Sequence, residues 1–146
     1  HVSLDAFRDM EPPGYWSTAV RRLWPARVKA LCRSINAAAA AYARAGESVI
    51  VDHVVPHDAW PWIAQDWKGL PVLVVGVHCC AQELSRREKA RGDRPAGLAA
   101  SQVDSVHRDR VYDFELDTTA TPANECAAAL HEWLATRHEH PLARSA

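Results

Sequence analysis

The sequence predicts an α/β fold built on a parallel sheet, and three observations lead there. The runs "SVIVDHVV" (48–55) and "VLVVGV" (72–77) are apolar and β-branched on both faces, as in strands covered from both sides. Segments with helical signals separate the strand-like runs, so strands alternate with helices as they do when crossovers join parallel neighbours. The length of 146 residues fits one domain with a substantial core, and neither internal repeats nor a long linker interrupt it. Residues 1–137 read as that single domain and 138–146 as a tail.

Each element has its own local signal. Val2 to Asp5 reads as a short strand ending in a carboxylate. "RDMEPPGYWS" follows as a turn-rich connection, with Pro12, Pro13 and Gly14 as breakers. "PARVKALCRSINAAAAAYARAG" is the clearest helix. Pro25 suits its first turn, the alanine run has high propensity, and Gly46 suits the position after its end. "SVIVDHVV" then predicts a buried strand. Asp58 is placed to cap a helix that carries Trp60, Ile63, Ala64 and Trp67 at i, i+3, i+4 and i+7. "VLVVGV" is the next strand. The charged stretch "SRREKARGDRPAG" (85–97) and "AGLAASQVDSVHRD" (96–109) predict two helices broken near Gly92 to Pro95. "VYDFELD" alternates Tyr112, Phe114 and Leu116 against Asp113, Glu115 and Asp117, the pattern of a strand with one solvated face. A last helix from about Pro122 carries an apolar stripe at Cys126, Ala129, Leu130 and Trp133, and "TRHEHPLARSA" reads as a frayed end.

Composition narrows the function classes. A net charge of −1 and a pI near 6.8 argue against a general nucleic-acid binder, although they leave room for a local anion site. The four cysteines, Cys32, Cys79, Cys80 and Cys126, have no disulfide-framework spacing and read as free thiols in a reducing compartment. No signal-peptide pattern opens the chain, and its apolar runs are strand-sized, so a cytoplasmic protein away from the membrane is expected.

Several residues have the chemistry of a site, each with a structural alternative. Arg87 and Arg91 lie four apart and share a helix face, with Arg94 just beyond Gly92. Three converging guanidiniums suit phosphate oxygens, whereas a solvated face balanced by Glu88 and Asp93 needs no ligand. Asp5 at a strand end is either a general base or metal-shell carboxylate, or a cap for the next turn. Asp52, after a run of apolar residues, suits a carboxylate near magnesium or a buried hydrogen-bonding role. The "HCC" at His78 to Cys80, with His53 and His57, raises zinc, but no C-x-x-C pair supports it. Trp16, Trp24, Trp60, Trp62 and Trp67 form either a pocket wall or core.

The stretch from Gly76 to Thr119 resembles the chloramphenicol phosphotransferase family of P-loop kinases. The shared pattern is a G-V-x-C strand end, R-E-x-A-R-G-D-R, a V-H before the last strand, and Y-D-x-E-x-D-T-T. "ARAGESVIVD" and "HVSLDAF" match earlier segments more loosely. The resemblance implies a three-layer α/β fold of P-loop kinase type with strand order 2-3-1-4-5. It also implies a lid over ATP that uses Arg87, Arg91 and Arg94, with Asp5 as proton acceptor and Asp52 as the strand-end carboxylate toward Mg2+. No G-x-x-x-x-G-K-[ST] occurs among these residues. The expectation is therefore that an amino-terminal βα unit carrying strand 1 and the phosphate loop is absent from this stretch.

The function implied is transfer of the γ-phosphate of ATP to a hydroxyl of a small molecule, possessed by the complete protein and not by this stretch alone. Residues Arg8 to Ala30 depart from the antibiotic-modifying pattern, so the acceptor is not inherited with the resemblance. A nucleotide-binding relative without catalysis and a globular interaction domain are the competing readings.

Overall fold

The computed structural model describes residues 1–55, 57–91 and 97–138. The chain forms two compact units, His1–Val72 and Leu73–Ala146. Among the described residues no helix is long and apolar enough to cross a membrane.

The first unit is organised by its longest helix. Strand β1 (Val2–Ser3) runs directly into helix α1 (Leu4–Asp9), and a 3-10 segment (Thr18–Leu23) leads to helix α2 (Trp24–Arg44). Strand β2 (Val51–Asp52) pairs parallel with β1, Val2 opposite Val51 and Ser3 opposite Asp52. A 3-10 turn (His57–Ala59) precedes helix α3 (Trp60–Asp66). Pro25 stands in the first turn of α2 as expected. The helix ends in a Schellman arrangement: the Glu47 amide donates to the Tyr42 carbonyl and the Gly46 amide to that of Ala43, both at 3.1 Å. This geometry needs Gly46 at φ +89°. One stripe of α2 is buried at Leu31, Cys32, Ile35, Ala39 and Ala40. Leu31 and Ile35 pack with Val2, and Leu4, Phe7, Trp16, Val49 and Val51 lean on that cluster. Beside Ile35, the buried Asn36 amide donates to the Asp66 carboxylate at 3.0 Å, which ties α2 to α3.

The second unit has the same plan in outline. Strand β3 (Val75–His78) pairs parallel with β4 (Phe114–Asp117). Helices α4 (Ala81–Arg91) and α5 (Leu98–His107) connect them, and α6 (Ala123–His138) follows. The expected alternation in β4 is present: Phe114 and Leu116 are half-buried, while Glu115 and Asp117 are exposed. Phe114 stacks on Trp133 of α6 at 4.8 Å.

Both strand pairs are parallel, as expected of an α/β fold with crossover helices. Several local expectations need correction. The first strand ends at Ser3 and not at Asp5, because the Ser3 hydroxyl accepts from the Ala6 amide at 3.1 Å and starts a helix there. "SVIVDHVV" is not a strand buried on both faces. Only Val51 and Asp52 pair, and Ile50 and Val54 are 74% and 39% exposed, since β1 offers just two partners. Asp58 does not cap α3. It lies within the preceding 3-10 turn, and Pro61 sets the helix start. The third strand begins at Val75 and not Val72, where the Asp113 carboxylate accepts from the Val74 amide at 2.7 Å. Helix α6 runs through His138, and the rest of the segment read as a frayed end, 139–146, lies outside the described residues.

Candidate functional site

Parallel pairing brings the carboxyl ends of β1 and β2 to one edge. Asp52 ends β2 opposite Ser3, and Asp5 follows Ser3 by two residues in the first turn of α1. The structure thus brings both predicted carboxylates to the same end of the pair, and both are exposed. Ser3 performs the capping that was one alternative for Asp5, and the exposure of Asp52 removes a buried hydrogen-bonding role. Ligands of open α/β sheets sit beyond such strand ends. Two hard oxygen donors there fit Mg2+, which uses one or two carboxylates and completes its shell with water and phosphate oxygens. An exposed carboxylate can also accept a proton from a bound hydroxyl.

His53 adjoins Asp52 at this edge. Its Nδ1 lies 3.1 Å from the Val54 carbonyl. Burial holds its protonation below the ordinary histidine range, opposed in part by the Val54 hydrogen bond and the Asp52 charge.

In the second unit two of the predicted arginines, Arg87 and Arg91, lie on α4. Arg87 is fastened inward: Nε donates to Glu83 at 2.8 Å, and the guanidinium donates to the Thr118 carbonyl at 2.5 Å and hydroxyl at 3.3 Å. Hydrogen bonds from Arg86 and then Arg87 hold the Glu83 carboxyl down to about 2. Arg87 therefore clamps α4 to the end of β4. Arg91 is the exposed last residue of α4. Arg94 lies outside the described residues. Glu88, read as a balancing charge, accepts from the Gly97 and Ala99 amides at 2.6 and 2.9 Å, so it also caps α5.

The carboxyl end of β3 holds a cluster that spacing did not disclose. His78 Nε2–H donates to Glu115 at 2.8 Å, and its ring stacks on His107 of α5 at 4.1 Å. His107 Nδ1 accepts from the Tyr112 hydroxyl at 2.7 Å when the ring proton is on Nε2. Burial, with the nearby His78 charge, lowers the His107 pKa, and burial raises that of Tyr112. The signal was the V-H and Y-D-x-E of the resemblance, whose partners adjoin only in the folded chain. The "HCC" residues diverge: the exposed Cys80 gives its amide to the Thr119 hydroxyl, and all four cysteines are free. Among the described residues no three His, Cys, Asp or Glu side chains gather as a metal site. The five tryptophans are half-buried in the first unit. Trp16 packs on the core, and Trp67 donates to the Asn36 carbonyl at 3.1 Å.

Residues 4–135 match the family described as "Chloramphenicol phosphotransferase-like protein". Two curated proteins of Mycobacterium tuberculosis, from strains CDC 1551 / Oshkosh and H37Rv, are each named "Putative O-phosphotransferase". Both are 45% identical to this chain over 93 residues, 63% of the chain and 41% of either relative. The match thus spans less than half the length of those relatives.

Proposed function

The chain belongs to the chloramphenicol phosphotransferase-like family, and on that premise we propose that the protein containing it transfers the γ-phosphate of ATP to a hydroxyl of a small molecule. The observation that carries the reading is that Asp5 and Asp52 both follow the carboxyl end of one parallel strand pair. Bound Mg2+–ATP supplies the phosphoryl group and neutralises its charge.

The chain's own residues have the remaining tasks. Asp5 would accept the proton of the acceptor hydroxyl, and Asp52 would help hold Mg2+. Arg87, Arg91 and Arg94 would pair with phosphate oxygens, and Arg87 also ties α4 to Thr118. The G-x-x-x-x-G-K-[ST] cradle does not occur in these 146 residues, and the proposal assigns it to sequence outside them. The central strand of the 2-3-1-4-5 order is assigned there too.

The test is phosphoryl transfer from γ-labelled ATP by the intact protein to a panel of hydroxyl-bearing metabolites and antibiotics. Asp5→Asn should retain ATP affinity and lower kcat by about 10²–10⁴-fold, the range of a general base. Turnover unchanged in that variant removes Asp5 from the mechanism. ATP binding without transfer to any acceptor favours the non-catalytic relative.

A further inference from the structure

Residues 8–27 have a chemistry distinct from the rest of the first unit. Arg8 lies over the Trp16 ring at 5.8 Å, Trp16 meets Tyr15 edge-on at 5.3 Å, and Arg27 lies over Tyr15 at 3.8 Å. These contacts make a continuous row of cation, ring, ring and cation. Arg27 also donates to the Tyr15 carbonyl. Trp24 stands one helical turn before Arg27 and carries Arg21 at 5.7 Å. Among the described residues, Arg8, Arg21 and Arg27 have no carboxylate at ion-pair distance.

A second observation falls on the same side chains. The indole N–H groups of Trp16 and Trp24 are enclosed and find no acceptor among the described residues. Buried donors are nearly always paired. These two indoles are the ones that Arg8 and Arg21 cover. In each pair the guanidinium lies 5.8 or 5.7 Å from the centroid of the ring that bears the unpaired N–H, so an oxyanion placed between them can accept from both once the exposed arginine swings aside. The flanking rings favour a flat molecule. Asp5 and Arg8 are three residues apart on α1 and share a face, which directs the row toward the acidic strand end.

We propose that this row, together with the adjoining Arg21–Trp24 pair, recognises an acceptor with a planar aromatic body and an anionic oxygen group, with its hydroxyl toward Asp5. That it is an acceptor rests on the phosphotransferase reading; the recognition chemistry does not. A neutral ring would stack but leave the guanidiniums unpaired. A bare phosphate would meet the charge without the stacking.

Titration calorimetry on the intact protein without nucleotide tests this, using 4-hydroxyphenylacetate, its methyl ester and inorganic phosphate. The acid should bind at least ~10-fold more tightly than either other probe, as expected for losing charge-assisted bonds or the stacked ring. Arg8→Gln and Arg21→Gln, both at exposed positions, should keep the far-ultraviolet circular dichroism and each erode that preference several-fold. Equal binding of acid and ester, absence of acid binding at millimolar concentration, or an undiminished preference in both variants overturns the proposal. Phosphate binding as tight as the acid overturns it as well, in favour of a phosphate-group site. A transfer assay separates the two readings. Selective acid binding without transfer to any hydroxyl sinks the phosphotransferase reading alone, and transfer confined to neutral acceptors sinks the recognition proposal alone.

Discussion

Arg87 and Arg91 occupy successive turns of α4, and their surroundings divide their roles. Arg87 is 41% exposed at its side chain and donates to a carbonyl at the end of β4 as well as to Glu83. Its truncation leaves the Thr118 carbonyl short of a donor. Discounted for that exposure, Arg87→Ala should destabilise the protein by roughly 0.5–1.5 kcal/mol. Arg91 is exposed at the helix end, so Arg91→Ala should stay within ~0.5 kcal/mol. If Arg91 serves the lid, that variant should instead raise the KM for ATP. Urea unfolding and steady-state kinetics on the two variants check this division, and an Arg91→Ala protein as destabilised as Arg87→Ala would contradict it.

At the scale of elements, α5 is tied to the β3–β4 pair by a stack of rings. A Cβ at Gly76 would stand 2.7 Å from the Tyr112 ring, nearer than real carbon contacts allow. Tyr112 is in turn bound to His107, and His107 stacks on His78. Gly76 is thus required by close approach and not by backbone conformation. Gly76→Ala should push the ring away, loosen α5 and cost about 1–3 kcal/mol, the range for overpacking. Thermal unfolding of Gly76→Ala with and without Tyr112→Ala measures the coupling. If Tyr112→Ala does not relieve the cost, the contact is not its source.

At the scale of the molecule, each unit holds one pair of parallel strands among the described residues, an arrangement that is marginal without further neighbours. Among the residues of the second unit whose burial is described, only Gly76 and Cys126 are buried, while Leu73 and Val77 of the β3 region are 38% and 56% exposed. The proposed central strand would cover such edges. In hydrogen exchange, the β2 and β3 amides that face away from their partners should exchange quickly in residues 1–146 alone. In the intact protein they should slow by roughly 100-fold, the factor that about 3 kcal/mol of local stability gives. Equal exchange in both forms would remove the central strand from the proposal.

The sequence by itself determined the family, the alternation of helix and strand, the long α2 with its glycine end, and the alternating face of β4. These rest on periodicity, propensity and motif, all of which act between residues near in the chain. It also placed Asp5 and Asp52 near strand ends, and parallel pairing then set them at one edge. Tertiary structure alone decided the rest. Strand lengths followed from what a partner strand offers, so "SVIVDHVV" pairs over two residues despite its composition. Arg87 became an anchor because Thr118, 31 residues away, presents a carbonyl to it. The His78–His107 stack and the row from Arg8 to Arg27 likewise join residues by folding. Spacing reports which side chains share a face; what that face meets is set by packing between distant segments.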